Sequence, residues 1–288
     1  MSALVGLAVA IPLFAAMLAL VVRQVDRLRD LVVLASLSAL TGIAAALLLH
    51  VRTNGTVVLR VGGWDPELGI VLVADTFAVL VLMVAVLTIT IVEVFAIGQR
   101  GLSMGADPAV VGPILLVLTG GVSLSILTGD LFSLFVGFEL MLVASYVLLT
   151  VKTDRGEIRA TISYVVINLL ASAFFLVLIA VVYGATGTLN LADLAVRVTE
   201  LPSGVATAIS LLMLAVFGIK AALFPLFMWL PDSYPTAPTP VTAIFAGLLT
   251  KVGMAIVIRT QTLIGPTDGP STVLLVVAGL TMVVGVLG

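Results

Sequence analysis

The amino-acid sequence predicts an all-α integral membrane protein, a polytopic bundle of about nine transmembrane helices. Three observations support this fold class: 61% of the 288 residues are hydrophobic, only 10% are charged, and long apolar runs recur along the whole chain. Water-soluble domains carry roughly 25% charged residues. The composition therefore excludes a soluble enzyme, a nucleic-acid-binding protein and a disordered chain.

The residue types also limit the redox chemistry of the chain. It contains no Cys and one His, so it cannot ligate an iron–sulfur cluster, act as a thiol catalyst or bind a haem through two histidines. We expect neither a cofactor nor a metal here, and any electrons must move on another chain.

The apolar runs are long enough to cross a membrane. A helix needs about 20 apolar residues to span a hydrocarbon core of about 30 Å. The first run has no basic residues before it, unlike a signal peptide, so we expect it to remain as the first helix. The nine predicted spans are 3–22, 31–49, 71–97, 109–128, 131–150, 158–184, 205–230, 241–260 and 271–288.

The basic residues of the loops predict the orientation of the chain, because lysine and arginine accumulate on the cytoplasmic side of membranes. Seven of them fall in odd-numbered loops and four in even-numbered loops or at the end of the eighth span. The odd loops contain Arg23, Arg27, Arg29, Arg100, Lys152, Arg155 and Arg159, and the other group is Arg52, Arg60, Arg197 and Arg259. The odd loops are therefore predicted to be cytoplasmic and the N-terminus to lie outside.

Two connecting segments show patterns of their own. The β-branched runs 57–61 and 70–73 flank the Gly- and Pro-containing segment 62–69, which predicts a β-hairpin, with an irregular loop as an equal alternative. Apolar residues at helical spacing follow Asn190 up to position 198. This pattern predicts a short capped helix on the membrane surface.

Three ionisable residues, Glu139, Lys220 and Lys251, fall deep inside predicted spans. At 1.5 Å per residue, Glu139 lies roughly 12 Å and Lys251 about 15 Å from the start of its span. Each charge costs at least about 2.5 kcal/mol at the centre of a membrane helix, so we expect the three to be buried together. A proton or ion path is the favoured interpretation, and a static salt bridge between helices is the alternative.

The span that carries Lys220 is interrupted by Pro225. Proline cannot donate to the carbonyl of Ala221 and its ring clashes there, so the helix should break just after Lys220. Broken helices at this depth occur only inside proteins or beside water-filled cavities. Transporters interrupt helices in this way beside their binding sites.

Other polar residues are weaker candidates for a path. Asp130 stands at the mouth of a span beside Gly129 and fits a helix-end carboxylate better than a path residue. His50 ends the second span, where a solvated or headgroup-level side chain is favoured over a proton relay. Glu93 lies near the end of the third span and is expected to reach the interface by snorkelling.

Three segments resemble a known family. They are GDLFSLFVGFELMLVASYVLL (129–149), FGIKAALFPLFMWLPDSYPTAPTPVTAIFAGLLTKVGMAIVIR (217–259) and the hairpin segment GGWDPELGIVLVAD (62–75). They are similar to the antiporter-like proton-translocating subunits, a family that includes Mrp-type sodium/proton antiporter subunits and the membrane-arm subunits of complex I. PDSYPTAP and GLLTKVG look most like the D-type protein of the Mrp branch.

The resemblance implies roles for the three deep charges. Glu139 matches the family's fifth-helix glutamate, Lys220 the lysine of the broken seventh helix, and Lys251 the eighth-helix lysine that passes protons onward. Many redox-driven relatives have a histidine in the PLxxWLPDA(H) stretch, where this chain has Phe227 or Met228 and Tyr234. This difference favours the Mrp branch.

The resemblance also implies a domain organisation. The family fold has about fourteen helices with two inverted five-helix repeats, and this chain is expected to supply only the first. Residues 1–108 would hold helices 1 to 3 with the external hairpin, 109–260 the first repeat, and 261–288 the start of the second. A chain that ends inside an apolar span suggests a truncated or partial sequence.

Three functions are compatible with these features. The leading hypothesis is a subunit of a multisubunit sodium/proton antiporter in the cell membrane, with other membrane subunits as partners. The alternative is a proton-pumping membrane subunit of an NADH:quinone oxidoreductase or a membrane-bound hydrogenase. The third is a structural membrane subunit, which the three deep charges oppose.

The predicted orientation can be tested by cysteine labelling, since the chain has no native Cys. A Cys introduced at Gly156 should react with an impermeant thiol reagent only from the cytoplasmic side. Labelling at that position from outside intact cells would show that the orientation is inverted.

Overall fold

The protein is described by a computed structural model that covers residues 1–65, 69–99, 108–151, 155–265 and 272–287. Within these ranges, eight helices are long and apolar enough to cross a membrane. One further apolar helix has 16 residues. The structure therefore agrees with the predicted polytopic bundle of about nine transmembrane helices.

The helices follow one another along the chain with short connections. They are α1 (Ser2–Val21), α2 (Asp26–Asn54), α3 (Thr76–Gly98), α4 (Pro108–Leu127), α5 (Leu131–Thr150), α6 (Arg155–Thr186), α7 (Leu191–Arg197), α8 (Ser203–Ala221), α9 (Trp229–Ser233), α10 (Thr239–Ile244), α11 (Thr250–Leu263) and α12 (Thr272–Leu287). A π-helical turn, Phe245–Leu249, joins α10 to α11, so these pieces form a single 25-residue span.

The predicted hairpin is confirmed. Strands β1 (Val57–Arg60) and β2 (Val71–Ala74) pair antiparallel. The backbone N–H of Gly129, in the turn between α4 and α5, donates to the carbonyl of Val71 over 2.8 Å. The hairpin is thereby fastened to the end of the helix bundle.

The predicted short helix after Asn190 is also confirmed. The Asn190 side chain accepts bonds from the backbone N–H groups of Ala192 and Asp193 and so caps α7. The N–H of Leu191 donates to the carbonyl of Gly129 over 2.9 Å. The hairpin, the α4–α5 turn and α7 thus form one connected structure, which we call the hairpin platform. The position of α7 at a membrane surface remains a prediction.

Small residues allow the central helices to approach closely. A Cβ atom built on Gly121 of α4 would lie 2.7 Å from the backbone nitrogen of Met141 in α5. A Cβ atom on Gly253 of α11 would lie 2.7 Å from the backbone of α8 at Ala221. Hydrophobic burial does not drive helices together in a membrane, because lipid tails are as apolar as the side chains. Helices associate there through close packing of this kind.

The expectation that Glu93 reaches the interface is wrong. Glu93 is only 5% exposed within the bundle, and it interacts electrostatically with Arg29. Arg29 is itself 2% exposed and forms ion pairs with Asp26 and Asp30. A nearby opposite charge lowers the cost of burial, and the sequence pattern did not reveal this long-range pair.

We predict that Gly121→Ala destabilises the protein by about 1–3 kcal/mol, the usual cost of overpacking. Gly42→Ala in α2 is the matched control, since a Cβ atom there meets nothing within 4 Å. In detergent, the Tm of the Gly121 variant should fall, whereas that of the Gly42 variant should be unchanged or higher. Equal values for the two variants would contradict the close α4–α5 contact.

Candidate functional site

The candidate site lies where α5, α6 and α8 meet. Glu139 projects from α5 and its Oε1 atom accepts a hydrogen bond from the Ser172 hydroxyl of α6. Glu139 is half-buried and Ser172 is buried. The carboxylate is therefore bonded across a helix interface within the apolar bundle.

Lys220 approaches the same serine from α8. Lys220 is 4% exposed, and its Nζ atom donates to the Ser172 hydroxyl over 3.3 Å and to the carbonyl of Asn168 over 3.4 Å. The ring of Phe138 lies 6.0 Å from the ammonium. A buried ammonium is tolerated only with such partners.

The structure thus brings Glu139 and Lys220 together, but through a third residue. Among the described residues, no Lys220–Glu139 ion pair of 4.0 Å or less is formed. Ser172 connects the two, with its oxygen accepting from the ammonium and its proton donated to the carboxylate. Acid, hydroxyl and amine form a continuous hydrogen-bonded chain.

The sequence reasoning missed Ser172 and Asn168, although a signal was present. They lie four residues apart in an otherwise apolar span and hence on one face of α6. Tyr164 and Phe175 extend the same buried face at helical spacing. A polar pair at this spacing in a membrane helix indicates a contact between helices.

The predicted break after Lys220 is confirmed. Helix α8 ends at Ala221, and Ala222 adopts a left-handed conformation with φ of 55°. Pro225 lies in the broken segment before α9. The carbonyl of Ile219 accepts a 3.2 Å bond from the backbone N–H of Ala222 and a second, 3.1 Å bond from the indole N–H of Trp229.

The break also places Lys220 in the last turn of α8. The C-terminal end of a helix carries partial negative charge and stabilises a cation there by about 0.3–2 kcal/mol. The local fold therefore supports the ammonium in addition to its two hydrogen bonds.

Two groups of aromatic residues enclose the site. The phenylalanine layer (Phe138, Phe175 and Phe217) contributes one ring from each helix, with ring centroids 6.2 and 5.0 Å apart. The helix directions place this layer on the side of the site that faces the hairpin platform. It forms an apolar closure on that side.

The opposite side carries hydroxyl groups. The tyrosine cluster consists of Ser145, Tyr146, Tyr164, Trp229 and Tyr234. Ser145 and Tyr164 share a 2.9 Å hydrogen bond, whereas the buried hydroxyls of Tyr146 and Tyr234 have no partner among the described residues. Buried polar groups of this kind are where ordered water binds.

The side chain of Lys251 does not lie beside Glu139 and Lys220. Its side chain is exposed, and its Nζ atom donates to the carbonyl of Ala246, inside the π-helical turn, and to the Thr250 hydroxyl. Helices α11 and α8 are nevertheless in backbone contact at Gly253. Lys251 lies two residues before that contact and points away from it.

The weaker candidates have local partners. Asp130 caps α5, since its carboxylate accepts from the N–H of Ser133 over 2.6 Å. His50 is half-buried at the end of α2, with its Nδ1 atom 3.2 Å from the Asn54 amide nitrogen. In the described residues, no group of three or more His, Cys, Asp and Glu side chains could hold a metal ion.

The chain matches a family model described as "NADH:quinone oxidoreductase/Mrp antiporter, TM" over residues 128–288. It is 45% identical over 245 residues to the D-type protein of a Na(+)/H(+) antiporter from Alkalihalophilus pseudofirmus, covering 84% of this chain and 49% of the relative. A structure of the Mrp complex from Dietzia sp. DQ12-45-1b contains a chain with TM-score 0.90 and 34% identity, covering 100% of this chain and 54% of that one.

A structure of the membrane-bound sulfane sulfur reductase, an archaeal respiratory membrane complex, also contains a similar chain. Its TM-score is 0.83 and its identity 30%, covering 90% of this chain and 53% of that one. The chain thus spans about half the length of the relatives that it matches.

The role of Asp130 as a cap can be separated from a role that needs its charge. Asparagine caps helices about as well as aspartate, whereas alanine costs about 0.5–2 kcal/mol. We therefore expect the Tm to fall for Asp130→Ala and to change little for Asp130→Asn. A similar fall in both variants would contradict the capping role.

Proposed function

The chain belongs to the NADH:quinone oxidoreductase/Mrp antiporter transmembrane family, and from this membership we propose that it is the proton-translocating part of a D-type antiporter protein. It would act in the cell membrane as a transport subunit rather than an enzyme. Its partners would be other membrane subunits of the same complex, and sodium would be the exchanged cation.

The observation that carries the proposal is the buried chain Glu139–Ser172–Lys220 beside the break in α8. A charge at the centre of a membrane helix costs at least about 2.5 kcal/mol. A static connection between helices could be made at lower cost by apolar packing. Two ionisable groups joined by a hydroxyl can instead exchange a proton.

The two sides of the site differ in polarity, and this difference supports proton access from one side. The phenylalanine layer is apolar, whereas Tyr146 and Tyr234 offer unpartnered buried hydroxyls on the other side. Water in the tyrosine cluster would carry protons to the site from that end. With the N-terminus outside, as we propose from the basic residues, that end faces the cytoplasm.

The charge state of Lys220 would control transport. Burial favours the neutral amine, and the nearby carboxylate favours the ammonium. When a neighbouring charge draws Glu139 away, Lys220 would release its proton towards Lys251. When Glu139 returns with a proton taken up from the side of the tyrosine cluster, Lys220 would be protonated again. Moving one proton against 100 mV requires about 2.3 kcal/mol, so a change of a few kcal/mol in this interaction suffices.

Transfer to Lys251 would follow the contact between α8 and α11. Gly253 holds the backbones together at Lys220 and Ala221. Lys251 is bonded within a π-helical turn, a feature that often marks functional positions. Because its side chain is exposed, Lys251 would receive the proton through water. It would then hold the proton at the surface of this helix bundle.

We extend the proposal to the division of the chain. Residues 1–108 would form the N-terminal helices with the hairpin, residues 109–260 the first five-helix repeat, and residues 261–288 the start of a second repeat. The support is that the site is built by α5, α6 and α8, with α11 packed against α8.

A second candidate function is a proton-pumping membrane subunit of an NADH:quinone oxidoreductase or a membrane-bound hydrogenase. The similarity to a chain of the sulfane sulfur reductase favours it. Tyr234 at a place where redox-driven relatives have a histidine favours the antiporter. Flavin or iron–sulfur absorbance in the purified native complex would support the second function, and its lack would support the first.

We predict that Glu139→Ala, Lys220→Ala and Lys251→Ala each abolish sodium-dependent pH changes in membrane vesicles. Each variant removes a proton-carrying group, and because truncation of the buried Lys220 also opens a cavity, exchange is compared at equal abundance of the protein in the membrane. Glu200→Ala, at an exposed position outside the site, is the control and should exchange at the wild-type rate. Wild-type exchange in any of the three site variants, at equal abundance, would contradict the relay at that residue.

A further inference from the structure

We propose that the Ser172 hydroxyl is the proton carrier between Glu139 and Lys220. This inference rests on the proposed function and assigns a role to a residue that the deep charges alone do not indicate. A serine hydroxyl has one proton to donate and two lone pairs to accept. Ser172 uses both capacities here, donating to the carboxylate of Glu139 and accepting from the ammonium of Lys220.

The transfer that this geometry allows is a concerted step that protonates Lys220. It begins with a neutral carboxylic acid at Glu139 and a neutral amine at Lys220. The Glu139 O–H bond breaks as a new O–H bond forms at Ser172. The original Ser172 O–H bond breaks as an N–H bond forms at Lys220.

The products are a carboxylate, an ammonium and an unchanged serine. Their hydrogen bonds are those seen in the structure, with Lys220 donating to Ser172 and Ser172 donating to Glu139. The same oxygen and nitrogen positions also serve the state before transfer, in which Glu139 would donate to Ser172 and Ser172 to Lys220. Once Lys220 has released its proton and Glu139 has taken up another, rotation of the Ser172 hydroxyl restores the arrangement before transfer.

A direct transfer is excluded by the separation of the two groups in this arrangement. They form no ion pair of 4.0 Å or less within the described residues, whereas proton transfer requires hydrogen-bond distance. In the part of the chain that the structure describes, Ser172 is the side chain that is hydrogen-bonded to both groups.

The surrounding packing keeps Ser172 in place. Ser172 is 6% exposed, and Lys220 also bonds the carbonyl of Asn168, one turn earlier on α6. Phe175 lies three residues after Ser172 on the same face of α6. It contacts Phe138 of α5 and Phe217 of α8. The oxygen thus stays between the two charged groups without moving α6.

The test compares three serine variants of the full-length protein within its native membrane complex. Ser172→Ala removes the hydroxyl, Ser172→Thr keeps it, and Ser163→Ala makes the same change at an exposed position of α6. Sodium-dependent pH changes are measured in vesicles with a pH-sensitive dye and normalised to subunit abundance.

We expect Ser172→Ala to slow exchange at least about tenfold, the lower end of what a hydrogen bond to a charged group contributes. Ser172→Thr should retain most of the rate, and Ser163→Ala all of it. Rescue by threonine distinguishes a proton carrier from a residue that only fills space, since threonine is the larger side chain and still donates a hydroxyl proton.

The outcomes separate this inference from the proposed function. If Lys220→Ala abolishes exchange and Ser172→Ala exchanges at the wild-type rate, the serine carrier is wrong and the antiporter function stands. If Lys220→Ala itself exchanges normally, the proposed function fails first. Equal loss in Ser172→Ala and Ser172→Thr at normal abundance would also overturn the carrier role.

Discussion

The ammonium of Lys220 is the constraint on which the rest of the site depends. It lies in a residue that is 4% exposed, in surroundings where an unpaired charge is most expensive. The bundle meets this cost with the Ser172 hydroxyl, the Asn168 carbonyl and the C-terminal end of α8. Each of these partners is a neutral dipole rather than a full opposite charge.

The break in α8 serves both stability and chemistry. Ending the helix at Ala221 puts its negative end next to Lys220. Trp229 donates to the carbonyl of Ile219 in the last turn of α8 and contacts Tyr164 in the tyrosine cluster. The broken segment therefore connects the lysine to the side of the bundle where unpartnered hydroxyls lie. An unbroken helix would offer neither the dipole end nor this connection.

Much of the fold could be predicted from the sequence, because it depends on local patterns. The apolar runs predicted the spans, the β-branched runs on either side of 62–69 predicted the hairpin, and the spacing behind Asn190 predicted α7. The cost of burying charge indicated Glu139 and Lys220. The prediction failed for Glu93, because its compensation by Arg29 comes from another helix, and no pattern along one helix contains that contact.

The sequence by itself determined that this is a polytopic membrane protein, where its helices lie, where α8 breaks and which charges are deep. These properties follow from hydropathy, helical rise and the chemistry of proline, each of which acts over a few neighbouring residues. Only the tertiary structure decided that Ser172 joins Glu139 to Lys220 and that Lys251 faces away from them. Such contacts depend on how helices rotate and pack against one another, and close packing at residues such as Gly121 and Gly253 sets that rotation.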